Sequence, residues 1–359
     1  MTYTIPTLPL QKDFETKKIL KQLSLSAAAL AELKGVSWTI PNEKILIKTL
    51  SLQEAKESSA IENIITTQDD LFKSDAISQI FASIESKEVH NYALALEKGF
   101  IEVRSKKLLT NNLILDIQST IEQNRAWFRM LPWTELKNDT TGDTVYIPPQ
   151  SNTEIVKHMD NLEKYINSSS KDIHPLIKMA IIHHQFESIH PFYDGNWRTW
   201  RVINVLYLVQ EELLSLPILY LSRYINTHKW EYYNLLQKVR DDDSWEEWII
   251  FMLIAVEMTS KQSINIIENI RILMQKQKKI IRTRLKNIYS QDLLNNIFKH
   301  PYTKIEFVMR DLWVVRQTAS KYLDKLQEVG ILEKHKLWTE NFYIHPELYK
   351  LFQDIPKIN

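Results

Sequence analysis

The chain has no cysteine, which excludes disulfides, thiol nucleophiles and cysteine-ligated zinc together. Glycine is almost as scarce: there are five residues in 359, where ordinary usage would give about 25. Neither a G-x-G-x-x-G nor a P-loop is present, so any phosphate must be held with little glycine. One-sided charge is missing as well. Lys plus Arg total 45 and Asp plus Glu 44, a formal +1, which gives no global field to draw the whole chain onto nucleic acid. Long apolar runs are also absent. The longest, Trp248 to Val256, lies between Glu247 and Glu257 and falls well short of the roughly 20 residues that a membrane span needs. The N-terminus, Met1 to Lys12, carries prolines and no targeting pattern. These absences lead to the expectation of a cytoplasmic protein with no membrane partner.

What is present is helical. The chain is 44% hydrophobic and 25% charged, ordinary for a folded protein with two or three cores. Apolar residues recur at helical spacing over 12–34, ending at Gly35, and over 41–60 after Pro41. Further helices are expected at 75–98, 111–123, 153–167, 175–189, after Gly195, and from Trp245 toward Lys286. Residues 139–149 break the rhythm with a turn, a short β-type run and two prolines, which predicts a hairpin. Basic residues without acids at 271–287 read as the solvated face of a long helix. A helix at 303–312, another at 316–329 closed by Gly330, and an alternating stretch at 331–344 follow the order of a winged helix. The fold class expected is mainly α with a small hairpin, followed by a winged-helix domain.

Chemistry concentrates in His190-Pro191-Phe192-Tyr193-Asp194-Gly195-Asn196-Trp197-Arg198-Thr199-Trp200-Arg201. Pro191 and Gly195 make a loop, and a helix begins after Gly195. Free N–H groups at that start can hold an anion, and glycine allows close approach. Arg198 and Arg201, three apart, project from one side and suit a polyphosphate. Asp194 beside such an anion calls for a bridging cation, which points to Mg²⁺. His190 is the candidate base. Taken singly, a His-Pro is a loop detail and an Arg pair a solvated face; together at one loop-to-helix junction they read as a nucleotide phosphate site.

The run resembles the signature of Fic-domain proteins, His-x-Phe-x-Asp/Glu-Gly-Asn-Gly-Arg-x-x-Arg, at His190, Phe192, Asp194, Gly195, Asn196, Arg198 and Arg201. The approach, Ile182 to Ile189, resembles the helix that leads into it. The resemblance implies a Fic-type helical bundle and a protein adenylyltransferase that moves AMP from ATP to a Tyr, Thr or Ser hydroxyl of a protein target, another protein or the chain itself. It implies His190 as base, Asp194 on Mg²⁺, Gly195 and Asn196 on the α- and β-phosphates, and Arg198 and Arg201 on the outer phosphates, with Phe192 a buried anchor. Nucleotide contact is expected along Gly195, Asn196, Trp197, Arg198, Thr199, Trp200 and Arg201. Trp197 stands where the family has its second glycine, and Trp200 replaces a commonly small residue. The rings point away, stack on a ligand, or block ATP.

Ser58-x-x-x-Glu62-Asn63 fits the family's inhibitory helix, expected at about 51–63, whose glutamate pairs with the second arginine of the motif, here Arg201. A carboxylate there competes with the γ-phosphate for the same donors. In some family members the same glutamate assists AMP removal, so addition and removal both stay open. Thr144, Val145 and Tyr146 fall in the family's flap, which holds a target segment as an added strand. Tyr224, Tyr232 and Tyr233 lie where family members line the adenosine pocket, or else pack a helical core. The division expected is 1–100 with the inhibitory helix, 101–285 as the catalytic core, and 290–359 as the winged helix. Arg316 to Lys321 would read DNA or make protein contacts, a homodimer included. The reading from another class is a catalytically impaired Fic-like regulator acting through that last domain.

Overall fold

The structure, a computed structural model, describes residues 3–61, 65–67, 69–72, 83–137, 141–169, 172–337 and 340–355. In chain order the first helices are α1 (Lys17–Ser37), α2 (Glu43–Ile61), α3 (Ile84–Lys106) and α4 (Asn111–Glu122). Strands β1 (Leu136–Lys137) and β2 (Thr144–Tyr146) precede α5 (Asn152–Ile166), α6 (Pro175–Ile189), α7 (Asn196–Gln210), α8 (Leu221–Thr227), α9 (Lys229–Asp242) and α10 (Trp245–Arg284). The C-terminal part holds α11 (Gln291–Lys299), β3 (Tyr302–Thr303), α12 (Ile305–Leu312), α13 (Arg316–Glu328), β4 (Glu333–Leu337), β5 (Glu340–Ile344) and α14 (Pro346–Gln353).

Thr16 caps α1 by accepting the Ile19 N–H at 3.3 Å. The helix runs past the expected stop because Gly35 is not left-handed and the chain stays helical to Ser37. α1 lies along α10, where Ser26 Oγ donates to the Leu253 carbonyl at 2.7 Å and Gln22 to Glu257 at 2.6 Å. By length and mean hydropathy α10 could cross a membrane, but 56% of its apolar window is buried within the fold. Its basic end, Lys276, Lys279, Arg282 and Arg284, faces solvent.

α6 is the central helix. Every residue from Leu176 to Ile189 is buried, which explains why it shows no amphipathic pattern. Two contacts tie it to its neighbours: Lys178 Nζ donates to the Ile166 carbonyl at 3.2 Å, and Trp248 Nε1 donates to the Ala180 carbonyl at 2.8 Å. α7 returns beside it, with α3 and α4 across its start and α2 near its side. The hairpin β1–β2 is antiparallel and begins at Leu136, three residues before its expected start.

In the C-terminal part, α12 and α13 are joined by a short turn, and β3–β5–β4 form an antiparallel sheet. Gly330, at φ 76°, closes α13, after which Ile331 N–H returns to the Leu326 carbonyl at 3.0 Å. Helices α8, α9, α11 and α14 were not anticipated from the sequence. This part is docked onto the segment that follows α2. The Phe72 ring is stacked on Tyr302 at 6.1 Å and meets Phe352 at 5.8 Å, while Tyr302 Oη donates to Asp69 at 2.5 Å.

Candidate active site

α6 ends at His190, which sits in the left-handed region at φ 48° and returns its N–H to the Phe186 carbonyl at 2.8 Å. The loop that follows is fixed from three sides. Arg129, fully buried, donates from its backbone N–H to the Pro191 carbonyl and from Nε to the His190 carbonyl, both at 2.8 Å, and from Nη2 to the Pro149 carbonyl after the flap. Phe192 is buried against Phe128 and Phe186. The Asn196 carboxamide accepts the Phe192 N–H and donates to its carbonyl, both at 2.8 Å. Asn196 therefore ties the loop shut with its side chain, and only its backbone N–H at the helix start remains to meet an anion. Tyr193 Oη accepts the N–H groups of Met130 and Leu131 at 2.8 and 2.7 Å, which bridges the loop to the segment before the flap.

The His190 ring is buried. Burial, then the positive charges of Arg129 and Arg240, lower its pKa to about 3, so the imidazole is neutral at pH 7. Its Nδ1 has no hydrogen-bond partner among the described residues. An unprotonated ring at a loop beside a helix start is the form a proton acceptor needs.

Gly195 is the N-cap of α7 at φ 75°, a conformation that favours glycine. Asp194 is solvent-exposed, and its Oδ1 accepts the Gly195 N–H at 2.7 Å. Among the described residues no group of three or more carboxylates or imidazoles forms a metal cage. A single exposed carboxylate next to an anion cradle still suits Mg²⁺, which is commonly held by one or two carboxylates plus substrate phosphates. Arg198 departs from expectation. Its Nη1 pairs with Glu88 at 2.9 Å and its Nη2 with Glu122 at 3.0 Å, with Asp194 at 3.7 Å. The guanidinium is buried among carboxylates instead of standing open for a phosphate.

Arg201 is also buried, and its charge reaches Glu54 of α2. Glu54 was missed by sequence reading, because Leu50-Ser51-Leu52-Gln53-Glu54-Ala55 is an ordinary mixed stretch in which one carboxylate carries no signal. Burial raises its pKa to about 7, against the hydrogen bond from Ser222 Oγ, the Arg201 charge and the Ser222 N–H. The expected inhibitory residues Glu62 and Asn63 lie outside the described residues. Ser58 is fully buried. Glu54 and Ser58, four apart on α2, lie along one face of that helix. The end of α2 is held on the core by Glu57 with Arg223 at 3.4 Å and by Lys229 Nζ donating to the Ile61 carbonyl at 2.6 Å.

The two tryptophans part company. Trp200 is 1% exposed, stacked on Phe186 at 4.9 Å and edge-on to His183 at 5.4 Å. It is a core residue, and Thr199 is fully buried beside it, so neither side chain offers the nucleotide contact expected of it. Trp197 is half-buried and meets Tyr232 at 5.5 Å and Tyr233 at 5.2 Å, both edge-on. Tyr232 is itself buried and hydrogen-bonded to His183 Nε2 at 2.7 Å, a core position, while Tyr233 reaches the surface. Tyr224 is stacked on His228 at 4.1 Å. His183 and His184 are buried with pKa values pushed well down by burial.

On the flap, Thr144 and Val145 are exposed, whereas Tyr146 is not. Its hydroxyl donates to the Ser188 carbonyl at 2.8 Å, and the Arg240 guanidinium lies 4.0 Å over its ring. Tyr146 anchors the flap to the end of α6, leaving Thr144 and Val145 to meet a partner. Trp133, Met130, Leu131 and Ile147 stand exposed around it. In the C-terminal part Arg316 is paired with Glu306 at 2.7 Å, while Gln317 and Lys321 are exposed.

Comparison with known families matches residues 20–101 to the Fic/DOC family N-terminal model and 108–208 to the Fic/DOC family model. Residues 273–348 match the C-terminal domain described for protein adenylyltransferase SoFic-like. Among solved structures, a Fic family protein from Desulfovibrio desulfuricans is similar with a TM-score of 0.58 and 17% identity, covering 92% of this chain and 96% of that one. The Fic-1 segment from C. elegans has a TM-score of 0.55 at 18% identity, covering 70% and 73%. A Fic domain containing signaling protein from Bacteroides thetaiotaomicron has 0.54 at 18%, covering 69% and 98%. At such identities the likeness concerns the fold.

Proposed function

This chain is a Fic/DOC family protein, and from that premise we propose that it is a self-inhibited protein adenylyltransferase. ATP lies with its phosphates at the start of α7, over the Gly195 cap and the N–H groups that follow. The neutral His190 imidazole takes the proton of a target hydroxyl held along Thr144 and Val145. The freed oxygen attacks the α-phosphorus, the bond to the β-phosphate oxygen breaks, and pyrophosphate leaves. Asp194 would hold Mg²⁺ together with the phosphates, which supplies charge neutralisation for the leaving group. Arg129 keeps the loop in place throughout. Rate comes from positioning and from donors fixed before the reaction begins.

The observation that carries the reading is the neutral, buried His190 at the left-handed end of α6, five residues before a left-handed glycine that opens a helix bearing Arg198 and Arg201. Self-inhibition rests on α2, whose Glu54 shares the Arg201 field and whose last residue, Ile61, directly precedes Glu62 in the sequence. Removing one charge-assisted pair worth roughly 1.5–3 kcal/mol should raise transfer by about ten- to a hundredfold. The test uses Glu62→Gly protein with ATP labelled at the α- or the γ-phosphate. Label entering protein from the α position, above the level of the unaltered chain, is the expected result. Incorporation from the γ position, or no gain over the unaltered chain, would contradict it.

A further inference from the structure

We propose that Glu122 is an internal competitor for the phosphate cradle, a second blocking carboxylate that acts apart from Glu62. The inference rests on the reading of the α7 start as that cradle. A Cβ built on Gly195 would come within 2.2 Å of Glu122 Oε1, so the carboxylate fills the space that the missing side chain leaves. The same Oε1 lies 3.0 Å from Arg198 Nη2. Glu122 thus presents an anionic oxygen to the glycine and to one of the two arginines that a phosphate would use, as a phosphate oxygen would.

Its surroundings argue that the placement is specific. Glu122 is the last residue of α4, where the helix dipole disfavours a carboxylate, and Arg198 is the cation that offsets this. Arg198 already has Glu88 at 2.9 Å from a different helix, so anchoring the guanidinium does not require Glu122. Counting Asp194, three carboxylates surround one guanidinium. The region expected to receive a polyphosphate is net negative, and an entering anion must displace Glu122 from Gly195 or meet its charge at contact distance.

The test is calorimetric titration with the magnesium salt of inorganic triphosphate, and separately with Mg·ATP, in the Glu62→Gly background. Glu122→Gln keeps the size and a polar oxygen facing Arg198 while removing the charge. It should tighten triphosphate binding by about tenfold or more, and Glu88→Gln should leave it within about threefold. Glu122→Asp, which draws the carboxylate back by one methylene, should tighten binding as well and serves if the glutamine variant folds poorly. Unchanged or weaker triphosphate affinity in a folded Glu122 variant would overturn the proposal and leave Glu122 as a residue that only orients Arg198. Tighter triphosphate binding without any AMP transfer would keep it and sink the transferase reading. AMP transfer indifferent to Glu122, with triphosphate affinity unmoved, would do the reverse.

Discussion

Changing His190 to alanine in Glu62→Gly protein is expected to lower AMP transfer by about 10²- to 10⁴-fold while Mg·ATP still binds. The ring touches the reacting hydroxyl in the proposed geometry, but its carbonyl, held by Arg129, and its N–H, held by Phe186, belong to the backbone and survive the substitution. The loop should therefore keep its shape. A pKa near 3 makes His190 a weak base by itself, and an arriving triphosphate strengthens it because nearby negative charge favours the imidazolium. The pH dependence follows from the direction of the shift. A depressed histidine pKa leaves the base form populated well below the ordinary value of about 6.5, so kcat/KM should show no acid limb at that value from this group. Stability behaves otherwise. The unfolded chain binds protons at His183, His184 and His190 below about pH 6.5, whereas the folded chain does not, so the fold loses stability as pH falls through that range. Acid loss of activity should track unfolding, which circular dichroism and the rate profile measured together would reveal. A kinetic limb near 6.5 in fully folded protein would contradict the burial argument.

Trp200→Ala should destabilise the protein by about 3–5 kcal/mol, the usual cost of deleting a large buried ring, with unfolding at a visibly lower temperature. The ring is closed between Phe186 and His183 of the central helix, so the cavity falls at the packing contact between α6 and α7 that positions the loop. Trp200→Phe is the informative partner. The indole N–H has no hydrogen-bond partner among the described residues, so phenylalanine removes a buried polar group along with some volume and should cost less than about 1.5 kcal/mol. Denaturant unfolding of both variants checks this. Equal destabilisation by phenylalanine and alanine would mean that the N–H has a partner that matters.

The contrast between the tryptophans also shows where sequence reasoning stops. The motif was legible because its groups lie within twelve consecutive residues, and proline and glycine mark the loop between two helices. Which face each tryptophan takes was not legible, since α7 is buried almost all round and offers no polar stripe to orient it. Tyr232 and Tyr233 are neighbours in sequence but about 100° apart around a helix, so one entered the core and the other the surface. Glu88 and Glu122 were invisible for a different reason. Each is an ordinary acidic residue on its own helix, and only the packing of α3, α4 and α7 brings them to Arg198. Arg129 had no local signal at all, because its partners are backbone carbonyls distant in sequence. The helical class, the hairpin before the motif and the order of C-terminal elements followed from periodicity and turn residues, which act locally.

The central claim is that a motif carrying Trp197 in place of the second glycine remains a working nucleotide site. Trp197 lies against Tyr232 and Tyr233, which makes it a wall of the region where adenosine is expected. The measurement is Mg·ATP binding by calorimetry on Glu62→Gly protein, with and without Trp197→Gly. Micromolar binding by the first protein, changed by less than about tenfold when the indole is removed, a loss of about 1.4 kcal/mol at most, is the expected result. Binding that emerges only after Trp197 is removed would mean that the ring closes the site, and the transferase account would fail.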